Sequence, residues 1–270
     1  MKPPASPRVG AAAVWHFRLA TGAYGAAIVA ELVCQGLRGP VGAGAWGWLA
    51  ILVSAGWIVG LVWRERVGVG RAWLCCLWVM LTSLVALRLA TRSGFLFGRI
   101  EFGGHEPLSF ARVPVTAPLL LWLIVGGSFP VVEGLWGEWR AGVSAFTAVV
   151  TVQAALMVMP VVGSLRAYWR WPDSGAFFGM PWSGLAAWFL LGLSLALGLV
   201  IMGDNWSSAE ARTRRQAWTP AAVLLALTVV CLGANLLGRL WLAAAFSAAN
   251  AVLFGAVVVW YLRDRRAEQP

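Results

Sequence analysis

The stretch SGLAAWFLLGLSLALGLVIMG, residues 183–203, carries no charged side chain anywhere along its length. A helix that crosses the ~30 Å hydrocarbon layer of a bilayer needs about 20 mostly apolar residues. This stretch alone therefore predicts a membrane-spanning helix. Open strands would leave backbone groups without partners in lipid, so helices are expected for any other apolar run of similar length.

Seven further runs of this kind can be read along the chain. Together with the first they predict an all-α, polytopic transmembrane helical bundle that forms a single integral membrane domain over residues 1–270. Polar tails are expected at 1–13 and 263–270. The eight predicted spans are roughly 14–36, 43–63, 70–90, 113–136, 141–165, 183–203, 217–237 and 240–262.

The composition supports a membrane protein and argues against a nucleic-acid-binding one. Hydrophobic residues make up 60% of the chain and charged residues 12%, whereas a soluble domain is nearer half and a quarter. The formal charge of +10 comes mostly from arginines that lie between the apolar runs, where they set topology and meet anionic lipid head groups. We therefore expect membrane lipid, and not nucleic acid, as a partner. The four cysteines lie inside apolar runs without metal-site spacing, so no metal is predicted.

The distribution of basic residues predicts an orientation. The termini and the second, fourth and sixth loops hold thirteen of the 21 Lys and Arg residues, which favours cytoplasmic termini in a bacterial or archaeal cytoplasmic membrane. Six of the other eight lie in or beside loop three (residues 91–112) and loop five (residues 166–182). Both loops face the same side in this topology, so they could form one site. Those six arginines are Arg88, Arg92, Arg99, Arg112, Arg166 and Arg170.

The two loops also end in a similar way. Each has a phenylalanine four residues before a proline, Phe110 before Pro114 and Phe177 before Pro181, and an apolar helix with a tryptophan follows. Proline is common at a helix start, because its missing N–H would lack a partner there in any case. Two readings stay open: two ordinary helix starts, or a repeat that places two aromatic, arginine-bearing loops side by side.

The same loops carry a family resemblance. GFLFGRIEF (residues 94–102), with VPVTAPLLLW (113–122) after a short spacer, and YWRWPDSGAFFGMPWSGLAAWFL (168–190) resemble two linked signatures of the membrane-bound carotenoid biosynthesis protein family. The likeness spans most of residues 85–195. Family members with an assigned activity are carotenoid hydratases of the carotenoid 1,2-hydratase or bisanhydrobacterioruberin hydratase type. They add water to the terminal double bond at an acyclic carotenoid end.

The chain departs from the family pattern in places, which marks it as a diverged member. Arg99 and Glu101 stand where the family has tyrosines, and Gly184 stands where it has an asparagine. An acidic residue expected before the first signature is missing, and the fifth span has Ala155 and Met159 where relatives carry aspartates.

The implied reaction needs a proton donor, an ordered water and a cation-tolerant pocket, but no redox cofactor. A carboxylic acid in apolar surroundings stays neutral and can donate a proton. Glu101, between Ile100 and Phe102, is the first candidate for that acid. Alternatively, it pairs with Arg99 or Arg92 in a solvent-exposed loop.

Two more carboxyl groups are candidates for catalysis. Asp173 could orient the water as a base, or could be an ordinary turn residue after a proline. Glu31 lies inside the first span, where acids are functional candidates by default, and Arg88 is the speculative partner. The side chains predicted to bind substrate are Phe95, Phe97, Arg99, Tyr168, Trp169, Trp171, Phe178 and Trp188.

Three functions remain open at this point. The first is cofactor-independent hydration of a terminal C=C of an acyclic carotenoid, for which a long apolar polyene is the substrate and other carotenoid-pathway enzymes are further partners. The second is a non-catalytic protein that binds a carotenoid or another isoprenoid. The third is a transporter of a small solute or lipid, which the proline-rich helix starts would suit.

Overall fold

The computed structural model describes residues 11–42, 44–103, 108–137, 139–172, 175–203 and 210–267. Within these residues it contains nine α-helices, two π-helical segments and four strands of two residues each. The helices are α1 (Ala11–Arg38), α2 (Gly44–Val67), α3 (Val69–Ser93), α4 (Thr116–Leu121), α5 (Gly127–Trp136), α6 (Arg140–Met159), α7 (Trp182–Met202), α8 (Glu210–Leu237) and α9 (Trp241–Ala267). The π segments are Trp122–Gly126 and Pro160–Leu165; the strands are β1 (Glu101–Phe102), β2 (Ser109–Phe110), β3 (Val113–Pro114) and β4 (Trp169–Arg170).

The predicted all-α transmembrane bundle is confirmed. In the described part of the chain, eight helical stretches are long and apolar enough to cross a membrane. Two of them include a π segment, because α4 and α5 are joined through one and α6 continues into the other. Their bounds are Val14–Arg38, Gly44–Val67, Val69–Ser93, Thr116–Trp136, Arg140–Leu165, Trp182–Met202, Trp218–Leu237 and Trp241–Arg263.

The bundle has a buried centre and a lipid-facing periphery. The most buried spans are the α4–α5 span, α6 and α2, whereas α1, α3 and α9 expose most of their surfaces. Large apolar side chains are exposed on the outer helices, as expected of a protein that is surrounded by lipid. The centre of the bundle is therefore the place where polar side chains need partners within the protein.

Prolines within the spans leave carbonyls that side chains then satisfy. Pro130 in α5 has no N–H to donate to the carbonyl of Gly126, one turn earlier. The buried indole of Trp63 donates to that carbonyl instead, at 2.8 Å. Because water is absent from the hydrocarbon layer, this side-chain bond makes the proline tolerable at that depth.

The second π segment sets the end of α6. Pro160 begins it, and the N–H of Arg166 bonds the carbonyl of Val161, five residues back, at 3.0 Å. The N–H of Tyr168 then bonds the carbonyl of Val162 at 2.8 Å. The wider π turn ends the span at the edge of loop five and leaves the side chain of Arg166 buried. Such π segments are frequent at functional sites.

Loops three and five meet at one end of the bundle. β1 and β4 form an antiparallel ladder in which Glu101 lies opposite Arg170 and Phe102 lies opposite Trp169. The N–H of Gly103 adds a bond to the carbonyl of Tyr168 at 2.6 Å. The prediction that these loops lie on one face is confirmed, and the short ladder between them is a feature that the sequence pattern did not indicate.

The similarity between the loop ends extends to the backbone. Phe110 pairs with Val113 in the β2–β3 hairpin, and Phe177 pairs with Met180 in an isolated antiparallel bridge. Both turns have positive φ at their two central residues, Ala111 and Arg112 in one, Phe178 and Gly179 in the other. The prolines precede the helices instead of opening them, since α4 begins at Thr116 and α7 at Trp182. The two loop ends thus share one turn geometry.

Candidate functional site

A buried ion pair lies beneath the loop ladder. Arg166 donates through Nη2 to Glu31 Oε1, and both side chains are 0% exposed. Gln35, one turn after Glu31 in α1, donates to the same oxygen at 3.1 Å and to the carbonyl of Val230 in α8 at 3.4 Å. The pair therefore ties α1 and α8 to the end of α6.

The local sequence explains why Glu31 stays inside. It precedes the end of α1 at Arg38 by seven residues, which places it about 10 Å along the helix from that end. The chain then turns back at Gly39–Gly42, and a Cβ added at Gly42 would overlap the Glu31 carboxylate. The turn thus packs directly over the acid.

Aromatic rings surround the guanidinium of Arg166. Its Cζ lies 5.1 Å from the ring centroid of Trp48 in α2 and 6.0 Å from that of Tyr168. Both rings are buried. A cation held against such faces gains about 0.5–2 kcal/mol in each favourable contact. The prediction that Arg88 pairs with Glu31 is wrong. Arg166 is the partner of Glu31, because the π turn at the end of α6 directs the chain inward at Arg166.

Glu101 has a different environment from the one expected. Its Oε2 accepts a hydrogen bond from Arg170 Nε at 3.1 Å and lies 2.9 Å from Arg170 Nη2 in an ion pair, across the β1–β4 ladder. Its side chain is 37% exposed and that of Arg170 is 77% exposed. Its partner is therefore Arg170, and neither Arg99 nor Arg92 as the sequence suggested. The apolar neighbours Ile100 and Phe102 do not enclose its carboxylate, and its catalytic role stays a prediction.

The segment from Arg166 to Arg170 connects the two carboxylates. An arginine at each end binds one of them, Glu31 inside the bundle and Glu101 at its edge. Four residues of extended chain span at most about 14 Å, so the two arginine backbones lie within that distance. The third predicted catalytic residue, Asp173, lies outside the described residues.

The predicted aromatic side chains fall into two groups. Phe97, Trp171 and Trp188 are buried together: the ring of Phe97 meets that of Trp188 edge-on at 5.1 Å, and Trp171 donates to the carbonyl of Phe97 at 3.1 Å. Tyr168 and Trp169 are buried nearer the ion pair, where Trp169 packs on Phe102 at 5.5 Å.

Three other predicted substrate-binding residues lie outside these groups. Phe95 is 60% exposed and Arg99 is also exposed. Phe178 is half-buried and packs edge-on against Phe177 at 4.8 Å. They line the outer surface of the loops, and a role for them in binding substrate stays a prediction.

Sequence reasoning missed Gln35 and Trp48 as members of the site, and it named Arg166 only as one of the arginines in the two loops. The spacing of Glu31 and Gln35 was a usable signal, since residues four apart share a helix face. A second acid inside a span, Glu133, is half-buried and pairs with Arg66 of α2. Among the described residues, no three His, Cys, Asp or Glu side chains are grouped so that they could hold a metal ion.

Comparison with known proteins decides the family. Residues 46–254 match the family described as Carotenoid biosynthesis protein. The chain belongs to this family. The match includes loops three and five, Arg166 and Trp48, but begins after Glu31 and Gln35. No curated protein and no solved structure matches the chain. A role in carotenoid biosynthesis therefore follows from the family, and the reaction has to be argued from the site.

Proposed function

We propose that this carotenoid biosynthesis protein hydrates a terminal C=C bond at an acyclic end of a carotenoid. The observation that supports this most is the Glu31–Arg166 pair, buried among aromatic rings at the end of the bundle where the two family signatures meet. Ionisable side chains inside a membrane protein are costly and mark functional sites by default. A structural pair elsewhere in the bundle, Arg66–Glu133, lies outside the signature loops.

The reaction balances without an oxidant or a reductant. A proton adds to C2 of the terminal alkene and leaves a tertiary cation at C1. The oxygen of a water molecule then bonds to C1, and that water loses a proton to a carboxylate. The net change is addition of one water, so the protein has to supply a donor, an acceptor and a dry, polarisable pocket.

The carboxylates of Glu101 and Glu31 suit different steps of this reaction. Glu101 is reachable from solvent, so it can take up a proton and deliver it to C2. Glu31 is buried in its pair with Arg166, and in the proposed reaction its carboxylate accepts the proton that the attacking water loses. Proton exchange with solvent through the loops then restores both groups. The buried rings of Phe97, Trp171 and Trp188 would stabilise the cation by about 0.5–2 kcal/mol each.

A second candidate is a protein of the same family that binds a carotenoid without reacting. One observation favours it: the carboxylates of Glu31 and Glu101 each already accept a hydrogen bond from an arginine. Such a protein would retain pigment and release it unchanged.

Co-expression in a lycopene-producing host tests the proposal. We expect the wild-type protein to give pigments whose mass has increased by one or two waters, resolved by chromatography and mass spectrometry. Glu31→Gln and Glu101→Gln should each lower the yield of these pigments at least tenfold, because each removes a proton-handling carboxylate.

Matched variants separate chemistry from folding in this assay. Glu133→Gln alters a buried, arginine-paired carboxylate outside the site, and Glu65→Gln alters an exposed one. Both should retain hydration per molecule of protein in the membrane. Unmodified pigment that co-purifies with the wild-type protein, with no hydrated product, would reject the hydratase in favour of the binder.

A further inference from the structure

A small cavity lies next to the buried ion pair. It has a volume of about 10 Å³ and lies between α2, α4 and the segment that follows α6. Trp48, Thr116, Tyr168 and Trp169 line it, and its remaining walls are apolar. A space of this size is just sufficient for the centre of one water molecule.

Several buried donors at this cavity or beside its wall have no acceptor among the residues that the structure describes. The indole N–H of Trp169, which lines the cavity, is one of them. The Nε and Nη1 groups of Arg166 are two more, and the guanidinium that carries them lies against the Trp48 and Tyr168 rings that form the cavity wall. A buried donor without a partner costs about 1–3 kcal/mol, so the unpaired Trp169 N–H at the cavity wall indicates a ligand that accepts hydrogen bonds.

The chemistry of the surroundings defines that ligand. The charge of Arg166 is already balanced by Glu31, so an anion would bring an excess negative charge into the bundle. A neutral molecule of one oxygen atom fits both the volume and the donors. The hydroxyl-bearing side chain of Thr116 supplies a further polar contact at the wall, and buried waters in proteins use about two to four such partners.

We propose that this cavity binds a single water molecule, and that this water supplies the oxygen of the hydrated product. The second part rests on the proposed function. The water oxygen forms the bond to C1 of the protonated alkene, one O–H bond of the water breaks, and that proton passes to the Glu31 carboxylate. Arg166 and Gln35 hold the Glu31 carboxylate in place, because both donate to its Oε1.

Hydroxyl-radical footprinting by X-ray pulses tests the water site without any substrate. Radicals formed from a bound water oxidise the side chains beside it, even where bulk solvent does not reach. We expect Trp48, Tyr168 and Trp169 to be oxidised several-fold faster than Trp63 and Trp122. All five side chains are buried to a similar degree, but the last two donate to helix carbonyls outside the cavity.

Two variants that each remove one polar group from the wall make the test specific, and Thr116→Val does so without a change in the shape of the wall. Trp169→Phe removes one donor and Thr116→Val removes the hydroxyl, and each should reduce oxidation of Tyr168 several-fold. Thr228→Val is the control, because that buried hydroxyl bonds only within α8, to the carbonyl of Leu224 at 2.7 Å. If either Trp169→Phe or Thr116→Val fails to fold, the other gives the same information.

The outcomes separate this inference from the proposed function. Oxidation of Tyr168 and Trp48 no faster than that of Trp63 and Trp122 would overturn the water site, whatever the pigment assay shows. If Tyr168 is oxidised fast in the wild-type protein, and Thr116→Val lowers both this oxidation and the yield of hydrated pigment to the same extent, both parts of the inference are supported. If Thr116→Val lowers the oxidation of Tyr168 but leaves the yield of hydrated pigment unchanged, this water is not the source of the oxygen in the product.

Discussion

Glu31 and Arg166 are each destabilising in the absence of the other. Removing a charge from water is costly, and the attraction between the two offsets that cost only because they are in direct contact and a third group, Gln35, binds the same oxygen. Truncating one partner leaves the other as an uncompensated buried charge. The pair therefore has a structural effect that must be separated from any role in catalysis.

A double-substitution experiment separates the two roles. Glu31→Leu and Arg166→Leu should each destabilise the protein by about 3–5 kcal/mol, because each leaves a buried charge without its counterion. The double variant Glu31→Leu/Arg166→Leu should regain most of that stability, since apolar residues replace both charges. Thermal unfolding in detergent measures all three against the wild type.

The hydration activity of the double variant Glu31→Leu/Arg166→Leu then separates a catalytic role of the pair from its effect on stability. We expect a folded protein that no longer hydrates the polyene. A double variant that is no more stable than the worse single variant would contradict the assignment of a direct, buried pair. The ion pair Arg66–Glu133 lies away from the site. The corresponding single and double Leu variants of this pair are a control for the measurements of stability and activity.

The sequence could indicate one half of this pair but not the other. Glu31 stood out because it lies within an apolar run, yet its partner lies 135 positions away. Arg88 was a reasonable expectation for an acid that needs a basic neighbour. The actual choice depends on how α1 packs against α8 and on where the π segment ends α6, and neither is visible in hydropathy.

At the level of elements, the contact between loops three and five depends on close backbone approach. Gly98 of loop three has a φ of +74°, and a Cβ added there would lie 2.7 Å from Pro181 Cγ in loop five. Gly103 also lies directly against the backbone of loop five, through its bond to Tyr168. Gly98 of the first family signature is therefore explained by packing between the two loops.

The variant Gly98→Ala tests this contact. It should destabilise the protein by more than Gly39→Ala, because both residues have similar positive φ values, +74° and +79°, but only Gly98 has a neighbour within reach. Backbone strain alone accounts for about 1–3 kcal/mol in each variant. The difference between the two midpoints of thermal unfolding measures the contact with Pro181. Equal losses in the two variants would contradict it.

The pairing of the loops was predictable only in outline. The shared Phe-to-Pro spacing suggested related loop ends, and the structure gives both ends the same turn with two positive φ values. The β1–β4 ladder has two residues in each strand, which is too short to produce an alternating pattern in the sequence. Non-glycine residues such as Arg112 adopt positive φ here because the surrounding contacts enforce it, and propensity gives no sign of that.

At the scale of the whole molecule, the helical spans were the most predictable feature. The eight predicted stretches agree with the observed ones to within a few residues, since hydropathy and length suffice to define a span. Hydropathy could not show which spans form the centre. The cytoplasmic position of the termini follows from the distribution of arginines and stays a prediction.

The overall arrangement concentrates chemistry at one end of an otherwise apolar bundle. The turn after α1, loop three and loop five lie together there, with the buried pair beneath them and the exposed Glu101–Arg170 pair at the edge. A polyene dissolved in the bilayer can approach such an end from lipid, while a proton arrives from water. This division of access is the central feature of the account.

The most direct test of that account is oxygen labelling with the purified protein. The wild-type protein, reconstituted in lipid with an acyclic carotenoid in water enriched in heavy oxygen, should yield a product with one heavy oxygen for each hydrated end, and Glu31→Gln should yield almost none. A pigment recovered without added oxygen, from protein that remains folded and carries bound polyene, would contradict it.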